Sequence, residues 1–506
     1  MTKRVVFGAL MSALMVMSTG CAEECSDVLD CRTEKGNPAE GKEWTCVSNK
    51  CVLRDTPPPS VRDAGTETDA GTQTDAGTQT DAGTQTDAGT QTDAGTQTDA
   101  GTQTDAGTMT VDKGGACTTS VNCMPGLRCE GAAAARTCQP LHIAVTVAPS
   151  TGGGHLEAVA IRAEANATEL ELSESTGASR FPRWNQDGTA VALVEEETDG
   201  GITLITRTIP PTAGQKTELT TATVASTEDF RHLEWAPSSR VVWVKRTAAG
   251  GNSGISAIPG AGGTLEELSA NGGFPTWRDE QNFAYSAAGQ GLLTRTLGSA
   301  PQAVAGATTG EQPKHNRVNQ FLLYLVSAGS ETFVGNEVQP LYELFTIAAS
   351  GTPATPNDIA RQSPSTPATG GEVKSFITAH TWAPDGTFVT YVRAFYYDPA
   401  LDAPAIICGN AGAQCGTQAG PNVYLQRTNP TTGVAEGEPI LVAANATLPS
   451  VSPDGRFIAY IQGQRLFMKS LNPTDWSLGT AVPLTPTTLR VQTGLGDDHR
   501  PRWQPR

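Results

Sequence analysis

The chain has 506 residues, of which 54 are glycine and 33 are proline, and only 17% are charged. This composition favours strands and turns over long surface helices. The net charge is −17, and no segment forms a basic stripe that could neutralise phosphates. Nucleic acid is therefore excluded as an expected partner.

Residues 1–20 are predicted to be an export signal. Two basic residues precede an apolar run, residues 5–17, which is too short to anchor the chain across a bilayer. The following "STGCAEE" resembles the processing site of bacterial lipoproteins, in which the cysteine is lipidated and begins the mature chain. The resemblance implies a lipid anchor on Cys21. Because Ala22 follows, it also implies an outer-membrane location, on the periplasmic side or the cell surface. An ordinary secretory signal cleaved after Ala22 is the alternative.

The cysteines support export to an oxidising compartment. Their number, eleven, is odd, but removing Cys21 leaves ten in three even groups, as expected where thiols pair in disulfides. The groups are Cys25, Cys31, Cys46 and Cys51; Cys117, Cys123, Cys129 and Cys138; and Cys408 with Cys415.

The first two groups predict small disulfide-rich modules at residues 21–56 and 113–140. Segments this short cannot bury a sufficient core without cross-links, and they resemble four-cysteine modules of exported proteins. Their connectivity stays open, since four cysteines allow three pairings. Zinc is not expected, because close Cys-x-x-Cys pairs are absent.

Residues 57–112 are predicted to be a disordered linker. They contain eight copies of DAGTxT, without an aromatic side chain, and cannot bury enough apolar surface to offset the entropy of ordering. The linker would hold the C-terminal body away from the membrane.

From residue 141 the chain repeats one unit. Five of the eight tryptophans occupy the same place in it, followed by a tight polar turn and an apolar run. These are Trp184, Trp235, Trp277, Trp382 and Trp503, and the place is taken by His315 and Val451 in two further units. Asp-Gly pairs suit the hairpin turns, and the prolines before the tryptophans are expected at first strand residues.

The pattern "PSVSPDGRFIAYI" resembles the WD40-like repeat of TolB-type β-propellers. The resemblance covers residues 141–506 and implies an all-β fold with seven blades, or six if residues 312–326 belong to a larger irregular blade. The terminal "DHRPRWQPR" supplies an innermost strand without successors, whereas residues 141–174 supply about three strands without an inner partner. We therefore expect the C-terminal strand to pair near residues 143–148 and close the ring.

Two features of the propeller are candidate sites. His232, His315, His380 and His499 fall at or just before the predicted starts of innermost strands, so they are candidates for the channel mouth. The alternative is that repeat-derived positions inherit similar residues for packing.

The insertions 349–375 and 395–421 are predicted to emerge on one face. The second carries a candidate disulfide, Cys408–Cys415, and the candidate binding residues Phe395, Tyr396, Tyr397, Asp398 and Asp402.

The sequence carries no Gly-x-Ser-x-Gly elbow, phosphate loop or His-Glu-x-x-His motif. It favours a lipid-anchored propeller that binds a protein or glycan, without catalysis, cofactor or metal. One alternative is an enzyme of the lyase or lactonase type, which would use the four histidines and Asp497 or Asp498 with a metal at the channel mouth. Another is a structural surface protein without a specific ligand.

Overall fold

A computed structural model describes residues 42–47, 50–55 and 111–506, apart from residues 133–134, 151–153, 166, 174–176, 197–200, 212–214, 222–229, 247–251, 317, 319, 333–337, 353, 362–373 and 397–417. Cys21, Cys25, Cys31, Cys408 and Cys415 lie outside the described residues, as does the predicted linker up to residue 110. No helix in the described part is long and apolar enough to cross a bilayer.

The first described segment is a hairpin of two antiparallel strands, Lys42–Val47 and Lys50–Asp55, in which Cys46 lies opposite Cys51. The second disulfide module belongs with the propeller to one compact unit. Its strands are Leu127–Glu130 and Thr137–Pro140, preceded by a 3₁₀ turn, Ser120–Asn122. Disulfides join Cys117 to Cys129 and Cys123 to Cys138, which selects one of the three connectivities left open by the sequence.

The body is a seven-bladed propeller, as predicted. Six blades are four-stranded antiparallel meanders, numbered here in chain order from the innermost strand outward. Blade 1 contains Ser179–Trp184, Ala190–Glu196, Ile202–Thr208 and Lys216–Thr221. Blade 2 contains Arg231–Trp235, Arg240–Arg246, Asn252–Pro259 and Glu266–Ser269. Blade 3 contains Gly273–Trp277, Asn282–Ala287, Gly291–Thr296 and Gln302–Ala303.

The next three blades have the same topology, and the longest strands are in blades 4 and 5. Blade 4 contains Gly310–His315, Phe321–Thr332, Val338–Ala348 and Asn357–Ala360. Blade 5 contains Lys374–Trp382, Phe388–Tyr396, Gln418–Thr428 and Ala435–Ala443. Blade 6 contains Ala446–Val451, Phe457–Gln462, Arg465–Ser470 and Val482–Pro483.

Blade 7 is the composite blade that closes the ring. Its outer three strands are His142–Pro149, Glu157–Arg162 and Glu169–Glu171. Its innermost strand comes from the C-terminus, where Arg502 pairs with Ala144 and Trp503 with Ile143. The predicted closure is confirmed. An additional strand, Leu489–Val491, pairs with the other end of His142–Pro149, so the innermost strand of this blade consists of two pieces.

The core lies between neighbouring sheets. In the second strand of blade 1, residues 191–194 are all buried. Val191 and Leu193 pack toward blade 7, whereas Ala192 and Val194 pack toward blade 2. Burial on both faces explains why these strands are continuously apolar instead of alternating.

The predicted strand starts are wrong in the innermost strands. Each of these strands ends at the tryptophan position, and most begin several residues earlier than the prolines. In blades 1–6 the third residue before that position has a positive φ: Phe181, His232, Phe274, Gln312, Ala379 and Leu448. The pairing register shifts at this point in each of these blades. The prolines follow such β-bulges, where the ladder is already interrupted and a missing N–H is tolerated.

The two insertions are smaller than predicted. Residues 357–360 form the outermost strand of blade 4, so the connection to blade 5 begins only after it. Phe395 and Tyr396 belong to the second strand of blade 5, where Tyr396 pairs with Gln418. The connections themselves lie outside the described residues; the strand ends that flank them lie at one edge of the sheets, because alternate turns of an antiparallel meander do so.

Candidate functional site

The residue before the tryptophan position faces the central channel in every blade. The innermost strands of neighbouring blades contact one another around this channel. Two adjoining cavities of about 250 and 370 Å³ lie in it and are lined by these residues. The seven are Arg183, Glu234, Thr276, Lys314, Thr381, Ser450 and Arg502. The channel is therefore polar, and its charged residues are mostly cationic.

The 3₁₀ turn Gly496–His499 places two carboxylates across this channel. The Asp498 side chain is fully buried; it forms an ion pair with Arg231 and accepts a hydrogen bond of 2.7 Å from the His232 backbone N–H. Burial alone would raise the pKa of Asp498, but the charges of His232, Arg231 and Arg183 outweigh it and lower this pKa. Asp498 thus stays charged and ties blade 7 to blade 2.

Asp497 makes the equivalent connection toward blade 4. Its carboxylate lies 2.7 Å from Lys314 Nζ and 2.6 Å from an Arg500 nitrogen. Burial would raise the pKa of Asp497, yet Arg500, Lys314 and Arg502 together hold it well below the ordinary value. We call the residues 496–499 the plug, because they cross the channel where the innermost strands begin.

The charges around the plug do not balance. Three carboxylates, Glu234, Asp497 and Asp498, face five cations, Arg183, Arg231, Lys314, Arg500 and Arg502. Arg500 is only 3% exposed. Its Nε and Nη1 have no hydrogen-bond acceptor among the described residues, and it lines the larger channel cavity. Burial lowers the pKa of Arg500, and lowers the pKa of Arg183 to about 10.

Two of the four histidines, His232 and His499, lie at or just before the start of an innermost strand as predicted, whereas His315 and His380 do not. His232 is the second residue of its strand, His315 is the last residue of its strand, and His380 is the seventh residue of nine. His499 lies in the plug. The bulges displace the true strand starts, which sequence spacing could not reveal. In the described part of the chain, the one group of side chains close enough to share a metal is Cys117, Cys123 and Cys138, and these are in disulfides.

Each histidine has a local structural contact. His232 packs 3.9 Å from the Phe274 ring and His499 packs 5.4 Å from the Phe181 ring, measured between ring centroids. His380 Nε2 donates to the Gln312 carbonyl at 2.8 Å, and His315 Nδ1 lies 2.8 Å from the Asn316 carbonyl. Burial lowers the pKa of His499 to about 4 and that of His380 to about 3. Both are neutral at pH 7.

The candidate binding loop is only partly described. Phe395 and Tyr396 lie in a strand, whereas Tyr397, Asp398 and Asp402 lie outside the described residues.

A second concave surface lies between the disulfide module and the propeller. The module sits on the turns that follow the innermost strands of blades 6 and 1 and on the C-terminal residues. Arg128 donates to the Asp187 carbonyl at 2.6 Å, Gly126 N–H donates to the Asp454 carboxylate, and Arg506 donates to the Ser120 carbonyl at 2.7 Å. These bonds hold the module against three blades.

The resulting cleft has a volume of about 1,090 Å³. One wall is the module, with Arg136 and Ala135. The opposite wall is formed by blades 7 and 1, including Thr168, Leu170 and Ile209. It is larger than either channel cavity, and it combines charged and apolar side chains.

Comparison with known proteins gives structural similarity only. No protein-family model matches the chain, and no curated protein matches its sequence. TolB from Acinetobacter baumannii is similar at 13% identity, with 73% of this chain and 68% of that chain covered and a TM-score of 0.39. An oligogalacturonate lyase in complex with manganese is similar at 11% identity, with 69% and 86% covered and a TM-score of 0.41. Apo AztD from Citrobacter koseri is similar at 8% identity, with 72% and 98% covered and a TM-score of 0.39. The propeller assignment rests on the strand pairing described above.

Asp497 and Asp498 were named as candidates for a channel enzyme, but the buried plug and the ring of charges were not predicted. A signal was present: Arg183, Glu234, Lys314 and Arg502 are charged residues directly before the tryptophan position of the repeat. A charge repeated at one position of several blades indicates a shared surface, here the channel. The sequence carries no comparable signal for the packing of the disulfide module against the propeller, because the contacts are mostly made to backbone carbonyls.

Proposed function

We propose that this protein is an exported, lipid-anchored binding protein whose propeller holds a protein or glycan and catalyses nothing. The observation that carries this proposal is the cleft of about 1,090 Å³ between the second disulfide module and blades 7 and 1. Ligand sites are concave surfaces whose walls are largely formed before binding.

Both walls of the cleft are held in place without a ligand. Two disulfides fix the module internally. Arg128 and Arg506 then join it to the propeller, and Arg162 of blade 7 donates to Glu130 at 2.9 Å. A rigid cleft lowers the ordering cost that binding must overcome.

The cleft suits a macromolecular surface of mixed character. Arg136 and Glu169 offer charges, and Ala132, Ala135 and Pro210 offer exposed apolar contacts. Charged and apolar groups side by side can contact a peptide segment or the faces and hydroxyls of a sugar.

The channel carboxylates support a binding function over a catalytic one. A general base or metal ligand needs a lone pair that is available to the substrate. Asp497 and Asp498 form ion pairs with the surrounding cations through both of their oxygens, and the buried His380 is bonded to the Gln312 carbonyl.

The export and anchoring part of the proposal is supported by the lipoprotein-like sequence at Cys21 and by the disulfides of the second module. Disulfides persist in oxidising compartments such as the bacterial envelope. On this proposal, the mature protein is tethered to the outer membrane and its propeller lies beyond the linker.

Site-specific photo-crosslinking in intact cells tests the cleft. A benzophenone amino acid replaces Ala135 on the module wall or Thr168 on the blade wall, both of which are exposed. The control position is Leu265, which is 54% exposed on blade 2. We expect one discrete macromolecular adduct from both cleft positions and none from the control. Equal adducts from all three positions, or none from either cleft position, would contradict the proposal.

A further inference from the structure

We propose that the central channel contains an anion-binding site for a compact oxyanion, a carboxylate or phosphate group, held chiefly by Arg500, Arg502 and Lys314. This site is separate from the cleft and goes beyond the proposed function. It is located in the two adjoining channel cavities.

The balance of charges around the channel supports this site. Asp497 and Asp498 are bound by cations, and Glu234 lies 3.2 Å from Arg502. With every group ionised, the five cations exceed the three carboxylates by two charges. Buried cations without partners are costly, and structures retain them where something else supplies the balancing charge.

Unsatisfied N–H donors of Arg500 and Arg502 also support the site. Arg500 is 3% exposed and uses one terminal nitrogen on Asp497, 2.6 Å away. Its Nε and Nη1, together with Arg502 Nε, find no acceptor in the described part of the chain. Guanidinium N–H groups in a fixed fork match the geometry of a carboxylate or phosphate.

The size and lining of the channel cavity suit an anion. Arg500 and Arg502 line the cavity of about 370 Å³ together with the indoles of Trp184, Trp235 and Trp503. Thr381 and Ser450 add hydroxyl groups to the same cavity. Lys314 lines the adjoining cavity, which shares Arg502 and Thr381 with the larger one. The space admits an ion from the size of phosphate to that of a tricarboxylate.

The plug determines the end of the channel from which an anion can enter. Asp497 and Asp498 cross the channel where the innermost strands begin, and they bind blades 2 and 4. The cavities lie at the other end, beside the turns that carry Asn185, Pro384 and Pro453. An anion would therefore enter from the face on which the disulfide module sits.

Thermal unfolding of the full chain tests the site, with inorganic phosphate, citrate and an acidic tetrapeptide as probes against chloride at constant ionic strength. Saturating phosphate or citrate is expected to raise the melting temperature by about 2 °C or more. A rise with the peptide alone would also support the site and would identify its ligand as a side chain offered by a partner. No rise with any probe would overturn the proposal.

Two variants in the site and one control variant test where the anion binds. Thr381→Asp places a carboxylate in the cavity and should abolish the response to phosphate, while raising the melting temperature in chloride because it supplies the missing negative charge. Thr308→Asp, in an exposed turn, adds the same charge elsewhere and should leave the response intact. An undiminished phosphate response in Thr381→Asp would overturn the proposal. Arg500→Gln should also lose the response, whatever its effect on stability.

Discussion

Trp503 Nε1 donates a hydrogen bond of 3.1 Å to the carbonyl oxygen of Ser450 in the preceding blade. The same bond joins Trp184 to Arg502 at 3.0 Å, Trp235 to Arg183 at 2.9 Å and Trp382 to Lys314 at 3.0 Å. In each case the acceptor belongs to the channel-facing residue of the neighbouring blade. The repeated tryptophan therefore forms a hydrogen bond between neighbouring blades, which we call the latch bond. Trp503 forms the latch bond that closes the ring.

Replacing Trp503 by phenylalanine should destabilise the propeller by about 1 to 2 kcal/mol beyond the loss of packing, because a buried carbonyl loses its donor. Trp277→Phe is the matched control: its indole N–H has no acceptor among the described residues, so only packing changes there. Urea unfolding of both variants gives the comparison. Equal destabilisation would show that the latch bond contributes nothing measurable.

The blades could be predicted from sequence because each carries its own local signal. A tryptophan, a tight polar turn and an apolar run recur at a spacing that suits one blade, and the final Arg502–Trp503 strand is a unit without successors. The bulges could not be predicted, because Phe181, Phe274 and Leu448 have left-handed backbones without the glycine that normally marks them. Tertiary packing imposes this conformation on them.

The candidate site was harder to predict from the sequence than the blades were. Arg231 and Asp498 are 267 positions apart in the chain, and no local pattern shows that they meet. The segment "GDDHR" has the composition of an exposed turn. Only the closure of the ring, which carries the C-terminus back to blade 2, turns it into a buried ion-paired plug.

Asp498→Asn should cost about 3 to 5 kcal/mol of stability, because it leaves Arg231 buried without its counter-charge. Asp358→Asn is the control; Asp358 also pairs with an arginine, Arg361 at 2.7 Å, but its side chain is 51% exposed. An exposed pair contributes about 0 to 1 kcal/mol. Chemical denaturation at neutral pH compares them. A loss for Asp498→Asn no larger than that for Asp358→Asn would mean that the plug does not stabilise the ring.

Acid should destabilise the propeller partly through His380. Burial, with the charges of Lys314 and Arg500 nearby, lowers its pKa to about 3, whereas an unfolded histidine titrates near pH 6.5. The unfolded state therefore binds more protons between these values, and stability falls as the pH drops below about 6.5. At pH 5 this group alone removes about 2 kcal/mol.

The variant that tests this is His380→Gln, whose amide can still donate to the Gln312 carbonyl. Its stability should fall less than that of the wild-type protein between pH 7 and pH 5. His155→Gln, at a position 42% exposed, is the control and should follow the wild-type profile. Parallel profiles for all three proteins would exclude His380 as a source of acid sensitivity.

Cys21→Ser should release the protein from the membrane. Without a thiol at residue 21 there is nothing to acylate, and a multiply acylated cysteine is what would make the attachment stable. Fractionation of cells and mass spectrometry of the mature N-terminus measure the effect. Cys408→Ser is the control, because it removes a cysteine elsewhere and should leave the protein in the membrane fraction with acyl chains on Cys21. If the wild-type mature chain began after Ala22, the anchor would be wrong, whereas the cleft and the channel site could still be tested separately because both lie within residues 111–506.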